Sequence, residues 1–330
     1  MPVRPKRDRL EKELEALRPA LADPESWASR EILRSALHGS KSFVAAKAAG
    51  VIRDRLVGGL ESELKAALDR FMKDPVKTDP GCNAKLAVLE ALDYLECLDT
   101  TPFLTAIRHF QLEPSWGSRV DTACGLRARG ALGLSRQGHS DFMLLMADLL
   151  ADPEAPVRQA AAEALAHRAD PAGAGLLQLK IRVGDPEPTV ILACLAGLLS
   201  LAPEWGLGKA KTHLEGGDEE LREVAALALG QSRREDALEL LLAARSNELL
   251  ARRRAVLLRA LGMHRSDRAL AELLEIIAEG NLADAKIAVE SLSFRSHEPG
   301  LTERVRDAAA RNRKADLSDA IHTAFRTPGD

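Results

Sequence analysis

The chain has 330 residues, with 46 Lys and Arg against 49 Asp and Glu and a formal net charge of −3. This balance gives no overall attraction to nucleic acid or to an anionic membrane surface. Aromatic residues make up only 3% of the chain while Ala and Leu are abundant, a composition that favours closely packed helices over sheets.

The first third of the chain, residues 1–117, predicts amphipathic helices at irregular intervals. Apolar residues recur at helical spacing in four segments, 11–22, 42–56, 59–72 and 82–98. A longer connection follows around 110–118. We interpret this third as divergent repeats with a cap, because the end units of a repeat array must screen its core from water.

The chain then becomes regular over residues 118–310. Three similar segments begin at Asp152, Asp185 and Asp218, each 33 residues after the last, and read DPEAPVRQAAAEALA, DPEPTVILACLAGLL and DEELREVAALALG. A column of leucines accompanies them, each preceded by a small residue: Leu132, Leu165, Leu198, Leu229, Leu261 and Leu292. Repetition at this period is typical of stacked helical units that bury a shared core.

Each unit predicts two helices, as in 154–168 followed by 176–183. Asp152 stands before Pro153, where its carboxylate can accept the free N–H groups of the first helical turn. The break between the two helices falls at 168–172. Helices of this length cannot bury an apolar face alone, so neighbouring units must stack side by side.

The Asp-Pro-x-x-x-Val-Arg start, the Ala-rich helix and the Ala-Leu-Gly ending resemble HEAT-like repeats, in particular the short form named after the phycobilisome lyases. The resemblance implies an all-α, armadillo-like fold: a right-handed α-solenoid (superhelix) of stacked helix pairs in one continuous array, ending in a cap helix and tail at 311–330. It also implies that the motif arginine lies between units and hydrogen-bonds to turn aspartates. The residues given this structural role are Asp152, Arg158, Asp185, Asp218, Arg222 and Arg254.

Signatures of catalysis and metal binding are missing from the sequence. The eight histidines are scattered, none within five residues of another His or a Cys, so no local zinc pair exists. Nucleotide-binding and hydrolase motifs such as GxGxxG, GxxxxGK[ST], GxSxG and HExxH do not occur. The four cysteines form no CxxC pair, and we expect reduced, buried thiols. We therefore expect no enzyme activity, no cofactor and no metal.

The segment 188–201 is the first candidate binding surface, because it predicts a helix that is apolar all round. Its outward positions are Leu192, Leu195 and Leu199, and Leu227 extends them in the next unit. If the Val-Arg helices form the concave layer, these leucines face a groove and anchor a partner. The alternative is that tight curvature or the turn at 205–209 covers them.

A basic group is the second candidate. Arg252 and Arg259 occupy outward positions on the same layer and could hold an acidic peptide or a phosphate backbone at the rim of the groove. Acidic residues stand among them, however, and no aromatic residues interleave for base stacking. The alternative is a solvated, salt-bridged face.

The leading hypothesis is a non-catalytic scaffold that binds a partner protein or peptide in a concave groove around 154–262. One alternative is nucleic-acid binding, as in helical-repeat DNA glycosylases, although Trp27, Trp116 and Trp205 lie far apart. The other is a lyase-like subunit, suggested by the name of the repeat. The opening residues lack the apolar stretch of a signal peptide, and the longest uncharged run, 188–203, is too short for a membrane span. We expect a cytoplasmic protein with no membrane contact, and the oligomeric state stays open.

Overall fold

A computed structural model of the chain describes residues 14–24, 26–313 and 316–325. Over these residues the chain is all-α apart from one two-stranded hairpin, which confirms the predicted class. The chain forms two units, Met1–Arg168 and Ala169–Asp330. The predicted boundary at 117/118 therefore falls inside the first unit. The single right-handed array and the role of 311–330 as a cap stay predictions.

The first unit is a stack of helix pairs. Its helices are α1 (Arg18–Ala22), α2 (Trp27–His38), α3 (Ser42–Arg55), α4 (Glu61–Met72), α5 (Pro75–Thr78), α6 (Asn83–Tyr94), α7 (Thr101–Ile107), α8 (Cys124–Ser135), α9 (Phe142–Leu149) and α10 (Ala155–Arg168). One layer is formed by α3, α6, α8 and α10, which pack side by side in that order. The helices α4, α7 and α9 pack against this layer as a second one. Of the predicted segment 11–22, residues 11–13 lie outside the described residues.

The second unit repeats the same plan more regularly. Its helices are α11 (Gly173–Val183), α12 (Pro188–Leu201), α13 (Pro203–Glu215), α14 (Glu219–Ser232), α15 (Glu235–Asn247), α16 (Ala251–His264), α17 (Asp267–Glu279), α18 (Leu282–Ser293), α19 (Leu301–Arg311) and α20 (Ser318–Ala324). The helices α12, α14, α16 and α18 form one layer, and each packs against the preceding helix of the second layer, α11, α13, α15 or α17. The last two helices pack on the end of these layers, α19 on α17 and α20 on α18.

In the second unit, neighbouring helices of the layer formed by α12, α14, α16 and α18 approach each other very closely at the leucine column. A Cβ added to Gly262 would lie 2.7 Å from the carbonyl oxygen of Ser291, and one added to Gly230 would meet the carbonyl oxygen of Ala260. Ala260 and Ser291 are the small residues that precede the column leucines Leu261 and Leu292. The small residues that precede these column leucines are therefore explained by the close approach of the backbones of adjacent repeats.

The leucine column needs one correction in the first unit. Leu132 is half-buried, whereas Leu134 is fully buried. Leu134 also stands seven residues after a buried basic residue, Arg127, just as Leu165 stands seven after Arg158. In this repeat the column leucine is thus Leu134, two residues later than predicted, and Arg127 is the motif arginine.

A β-hairpin occupies the place where a longer connection was expected. Its strands are β1 (Leu112–Ser115) and β2 (Ser118–Asp121), paired antiparallel from Leu112–Asp121 to Ser115–Ser118. Residues 116 and 117 form the two-residue turn. Short strands and Pro114 gave the sequence too weak an alternating pattern to predict a hairpin.

Candidate functional site

The leucines predicted to anchor a partner do not form an exposed row. Leu195 and Leu199 are buried, so their predicted outward placement is wrong, whereas Leu192 and Leu227 are half-buried. The physical reason is that α12 is covered by α11, α13 and α14. Gly206 lets α13 approach so closely that a Cβ there would lie 2.7 Å from the Cα of Leu199. Partner binding by Leu192 and Leu227 stays a prediction.

The predicted rim arginines are both exposed on α16. Arg252 lies at the edge of a pocket of about 600 Å³ in the second unit, whereas Arg259 is not among the residues that line it. We call this cavity the α13–α16 pocket, because one face each of α13, α14, α15 and α16 encloses it. Its volume lies within the range of about 300–1,000 Å³ that is common for ligand sites.

The interior of the α13–α16 pocket is apolar. Each helix contributes residues at helical spacing, such as Leu240, Ala244 and Asn247 of α15. Leu214, Ala226 and Leu257 close the base and are themselves buried. The apolar side chains that face the pocket are Leu214, Ala226, Leu240, Ala243, Ala244, Val256 and Leu257.

A missing side chain explains why the pocket is open. Ala244 of α15 stands 32 residues before Ile276 of α17, which is buried. The two helices align over Ala237–Leu238 and Ala269–Leu270, again 32 residues apart. At this position α15 therefore carries the methyl group of Ala244, whereas α17 of the next repeat carries the branched four-carbon side chain of Ile276. This small residue was the one signal in the sequence that could have located the pocket.

Charges of both signs surround the mouth of the pocket. Four basic and four acidic side chains line it: Lys211, Arg222, Arg252, Arg253, Glu215, Glu219, Glu223 and Glu248. Arg253 forms an ion pair with Glu219 and lies 3.7 Å from Glu248. The hydrogen bond from Arg253 lowers the pKa of Glu219. The eight side chains together carry no net charge, and a mouth with charges of both signs suits a partner that is apolar at its centre and polar at its edges.

The motif residues stabilise turns in the second unit. Asp218 caps α14 by accepting hydrogen bonds from the N–H groups of Glu220 and Leu221, at 3.0 and 3.1 Å. Arg222 donates to the carbonyl oxygens of Leu214 and Gly216 just before that helix. Both acceptors precede Asp218, where this repeat begins, so Arg222 contacts the end of the preceding repeat through carbonyl oxygens rather than the turn aspartates that the resemblance implied.

Two further motif residues of the second unit are partnered. Arg254 donates from Nε to Asp284 of the following repeat at 2.9 Å. Asp284 lies in the first turn of α18, whereas the resemblance implied an aspartate in the turn between helices. Asp185 has a fully buried carboxylate that accepts from the N–H group of Glu187 and lies 2.8 Å from Lys180 Nζ.

Asp152 and Arg158 lie in the first unit and are both buried. Asp152 accepts from the N–H of Glu154 at 2.9 Å, one residue before α10 begins. Arg158 donates to the carbonyl oxygens of Asp152 and Pro153, both at 2.8 Å. Both residues therefore hold the turn that starts α10.

Sequence reasoning missed the most buried cation of this group, Arg127. Its guanidinium donates to both carboxylate oxygens of Asp152, at 2.8 and 2.9 Å, and to Asp121 and the carbonyl oxygen of His109. Arg127 thus bridges Asp121, the turn aspartate of its own repeat, and Asp152, that of the next repeat in the same unit. Burial alone would lower its pKa, but the hydrogen bonds to Asp152 and Asp121 outweigh burial and raise it.

A second buried pair precedes it at the same spacing. Lys85 and Asp79 have fully buried side chains that lie 3.1 Å apart, and they are six residues apart like Asp121 and Arg127. Burial would raise the pKa of Asp121, but hydrogen bonds from the N–H groups of Gln111 and Ala123 and from Arg127 hold it below its ordinary value. These groups are partnered inside the fold, so they stabilise the first unit rather than form a reactive site.

The cysteines are all free thiols. Cys82 and Cys194 are buried, and burial raises the pKa of each to about 12, so neither is a reactive nucleophile at neutral pH. Cys97 and Cys124 are half-buried, less than expected from the sequence. Within the described ranges, no group of three or more His, Cys, Asp or Glu side chains could hold a metal ion.

Comparisons with known proteins establish no family for this chain. No family model matches the sequence, and no curated protein matches it. A solved structure that is similar to this chain is the complex of CpcE and CpcF of phycocyanin lyase from Nostoc sp. PCC7120, with 18% identity, 85% of this chain and 93% of that chain covered, and a TM-score of 0.36.

One prediction is corrected by this comparison. The sequence led us to expect that the chain is not an enzyme, and this is contradicted because the similar structure is that of a lyase. The binding function proposed for this chain therefore does not exclude catalysis. Among the described residues, none of the helices combines the length and the apolar character that crossing a membrane requires.

Proposed function

We propose that this chain binds an apolar segment of a partner protein in the α13–α16 pocket. The observation that carries the proposal is the combination of an apolar interior with a charged mouth of no net charge. Binding sites for protein segments commonly have such an apolar centre and polar rim. The proposed site thus lies on α13–α16, after the leucines of α12 that the sequence suggested, and Arg252 belongs to both sites.

A small residue at the edge of the pocket offers a direct test. We expect Ala244→Trp to fill the cavity and to weaken binding at least about tenfold, because the anchoring side chain of the ligand would be displaced. The ligands are peptides selected from a random display library against the wild-type chain, and their affinities are measured by fluorescence anisotropy. The selected peptides should share an apolar anchor residue.

The matched control is Ala271→Trp, which places the same side chain on an exposed position of α17. This variant should bind the selected peptides like the wild type, and both variants should keep the wild-type helical content by circular dichroism. Peptides that bind Ala244→Trp as tightly as the wild type, or failure to select any peptide, would refute the proposal.

The nucleic-acid alternative is less well supported by the site. The arginines at the pocket mouth are accompanied by glutamates, and Arg253 is already paired with Glu219. A phosphate backbone would have to displace these carboxylates, although neutralised phosphates supply most non-specific affinity. We expect no salt-dependent gel shift with duplex DNA, and a strong one would favour this alternative.

A lyase-like subunit is the second candidate, suggested by the resemblance of the repeats to those named after the phycobilisome lyases. The similar solved structure is that of a phycocyanin lyase complex, but fold similarity alone does not transfer function. This candidate therefore depends on a direct assay, which adds a bilin to the purified chain and follows its visible absorption. A shifted and strengthened band in the wild type would support the candidate, and an unchanged spectrum would remove it.

A further inference from the structure

The tip of the β-hairpin carries a tryptophan in an unfavourable place. Trp116 is fully exposed and occupies the first position of the two-residue turn, with φ of 23°, and Gly117 follows with φ of 86°. Turns with positive φ at both positions favour Asn-Gly or Gly-Gly. A bulky residue there is a backbone outlier. Backbone strain at Trp116 that no contact within the chain offsets indicates that this side chain serves a contact with another molecule.

The base of the hairpin is firmly attached to the first unit. Glu113 accepts hydrogen bonds from the N–H of Gly81 at 2.7 Å and from the Thr122 hydroxyl at 2.8 Å. Gln111 donates its backbone N–H to the buried Asp121 at 3.0 Å. The indole is therefore presented on a fixed support, which lowers the entropy lost when it is bound.

The α13–α16 pocket has the features that such an indole requires. Its apolar interior can bury the ring, and aromatic side chains bury about 150–250 Å² each. Asn247 donates its amide N–H to the carbonyl of Ala243 at 3.0 Å, which leaves its amide oxygen to accept from the indole N–H. The pocket mouth also carries Glu223, which is exposed and has no ion pair among the residues that the structure describes.

The hairpin supplies the matching charge. Arg119 follows Trp116 by three residues, is exposed, and lies on β2. A guanidinium beside the inserted ring would face the carboxylates of the pocket mouth, of which Glu223 has no cation paired with it among the described residues. Opposite charges at an interface edge favour encounter and fix orientation.

We propose that Trp116 of one copy of this chain inserts into the α13–α16 pocket of a second copy. This inference rests on the proposed function, because it uses the same pocket and names its occupant. The hairpin and the pocket are different surfaces of the chain, so in each contact one copy contributes the hairpin and the other copy the pocket. A single aromatic anchor with a small rim predicts weak association, with a dissociation constant of about 1 μM or higher.

Sedimentation velocity over a range of concentrations tests this contact. The wild type should show concentration-dependent association, whereas Trp116→Ala and Ala244→Trp should each sediment as monomers. A mixture of these two variants should form dimers, because one supplies an intact pocket and the other an intact hairpin. Trp205→Ala removes another exposed tryptophan that does not line the pocket, and it should associate like the wild type.

The outcomes separate this inference from the function on which it rests. A wild type that stays monomeric while its pocket binds selected peptides would overturn self-association only. Association that is lost in Trp116→Ala but kept in Ala244→Trp would overturn the pocket as the receptor of the hairpin. Failure of the mixed variants to form dimers would overturn the pairing of one copy's hairpin with another copy's pocket.

Discussion

The buried ion pairs of the first unit and the charged pocket mouth of the second unit use charge in different ways. In the first unit, Arg127 and Lys85 are fully buried and each faces carboxylates that are buried as well. In the second unit, charges such as Arg252 and Glu223 surround an open pocket and remain exposed to solvent. Buried pairs fix a structure because breaking one leaves an uncompensated charge, whereas exposed pairs contribute little to stability and can be rearranged by a partner.

The largest expected effect comes from breaking the buried network. Replacing Arg127 by Met should lower the free energy of unfolding by about 3–5 kcal/mol, because Asp121 and Asp152 would remain buried without their cation. Urea denaturation of the full chain measures the loss. Arg253→Met in the second unit is the matched control and should leave the unfolding midpoint nearly unchanged. Similar losses in both variants would contradict the contrast between the units.

Stability of the second unit should depend instead on close helix packing. Replacing Gly262 by Ala should cost about 1–3 kcal/mol, because the added methyl group overlaps the backbone of Ser291. Thermal unfolding monitors the change. Gly208→Ala lies in α13 with no atom within 4 Å of the added Cβ, and it should be neutral or slightly stabilising. Equal effects at both glycines would contradict the backbone-to-backbone approach.

A smaller effect is expected from acid. Asp121 has a lowered pKa in the folded chain, so its contribution to stability is present above the ordinary carboxyl pKa and is lost as the pH falls through the folded value. The difference in unfolding free energy between the wild type and Asp121→Asn should therefore shrink as the pH is lowered below the ordinary value of 3.8. Urea titrations at several pH values measure this difference. A constant difference would show that the charge of Asp121 is not what stabilises the unit.

Much of the fold could be predicted because the residues that end helices and the apolar periodicity indicate the same helix boundaries. Prolines near both ends and apolar residues between them predict a helix at 188–201. The structure confirms it as Pro188–Leu201. The two-residue error in the column near Leu134 arose because Leu132 and Leu134 both fit the period. Only burial distinguishes them.

The site was harder to predict because it depends on neighbours in space. An apolar helix such as α12 looks the same whether its leucines face solvent or a second helix, and Gly206 decided the outcome for Leu199. The α13–α16 pocket depends on the absence of a side chain at Ala244. A pattern search for chemical groups does not detect a missing group.

The substitution of Ala244 for a residue like Ile276 has a consequence for how such chains diversify. The leucine column and the turn aspartates maintain the stack, while a position on the second layer opens or closes a cavity without affecting either. A repeat chain can therefore gain, lose or shift a binding site along its length by shortening or lengthening one side chain per unit. Ala244→Ile with Ile276→Ala would test whether a cavity can be relocated from one unit to the next.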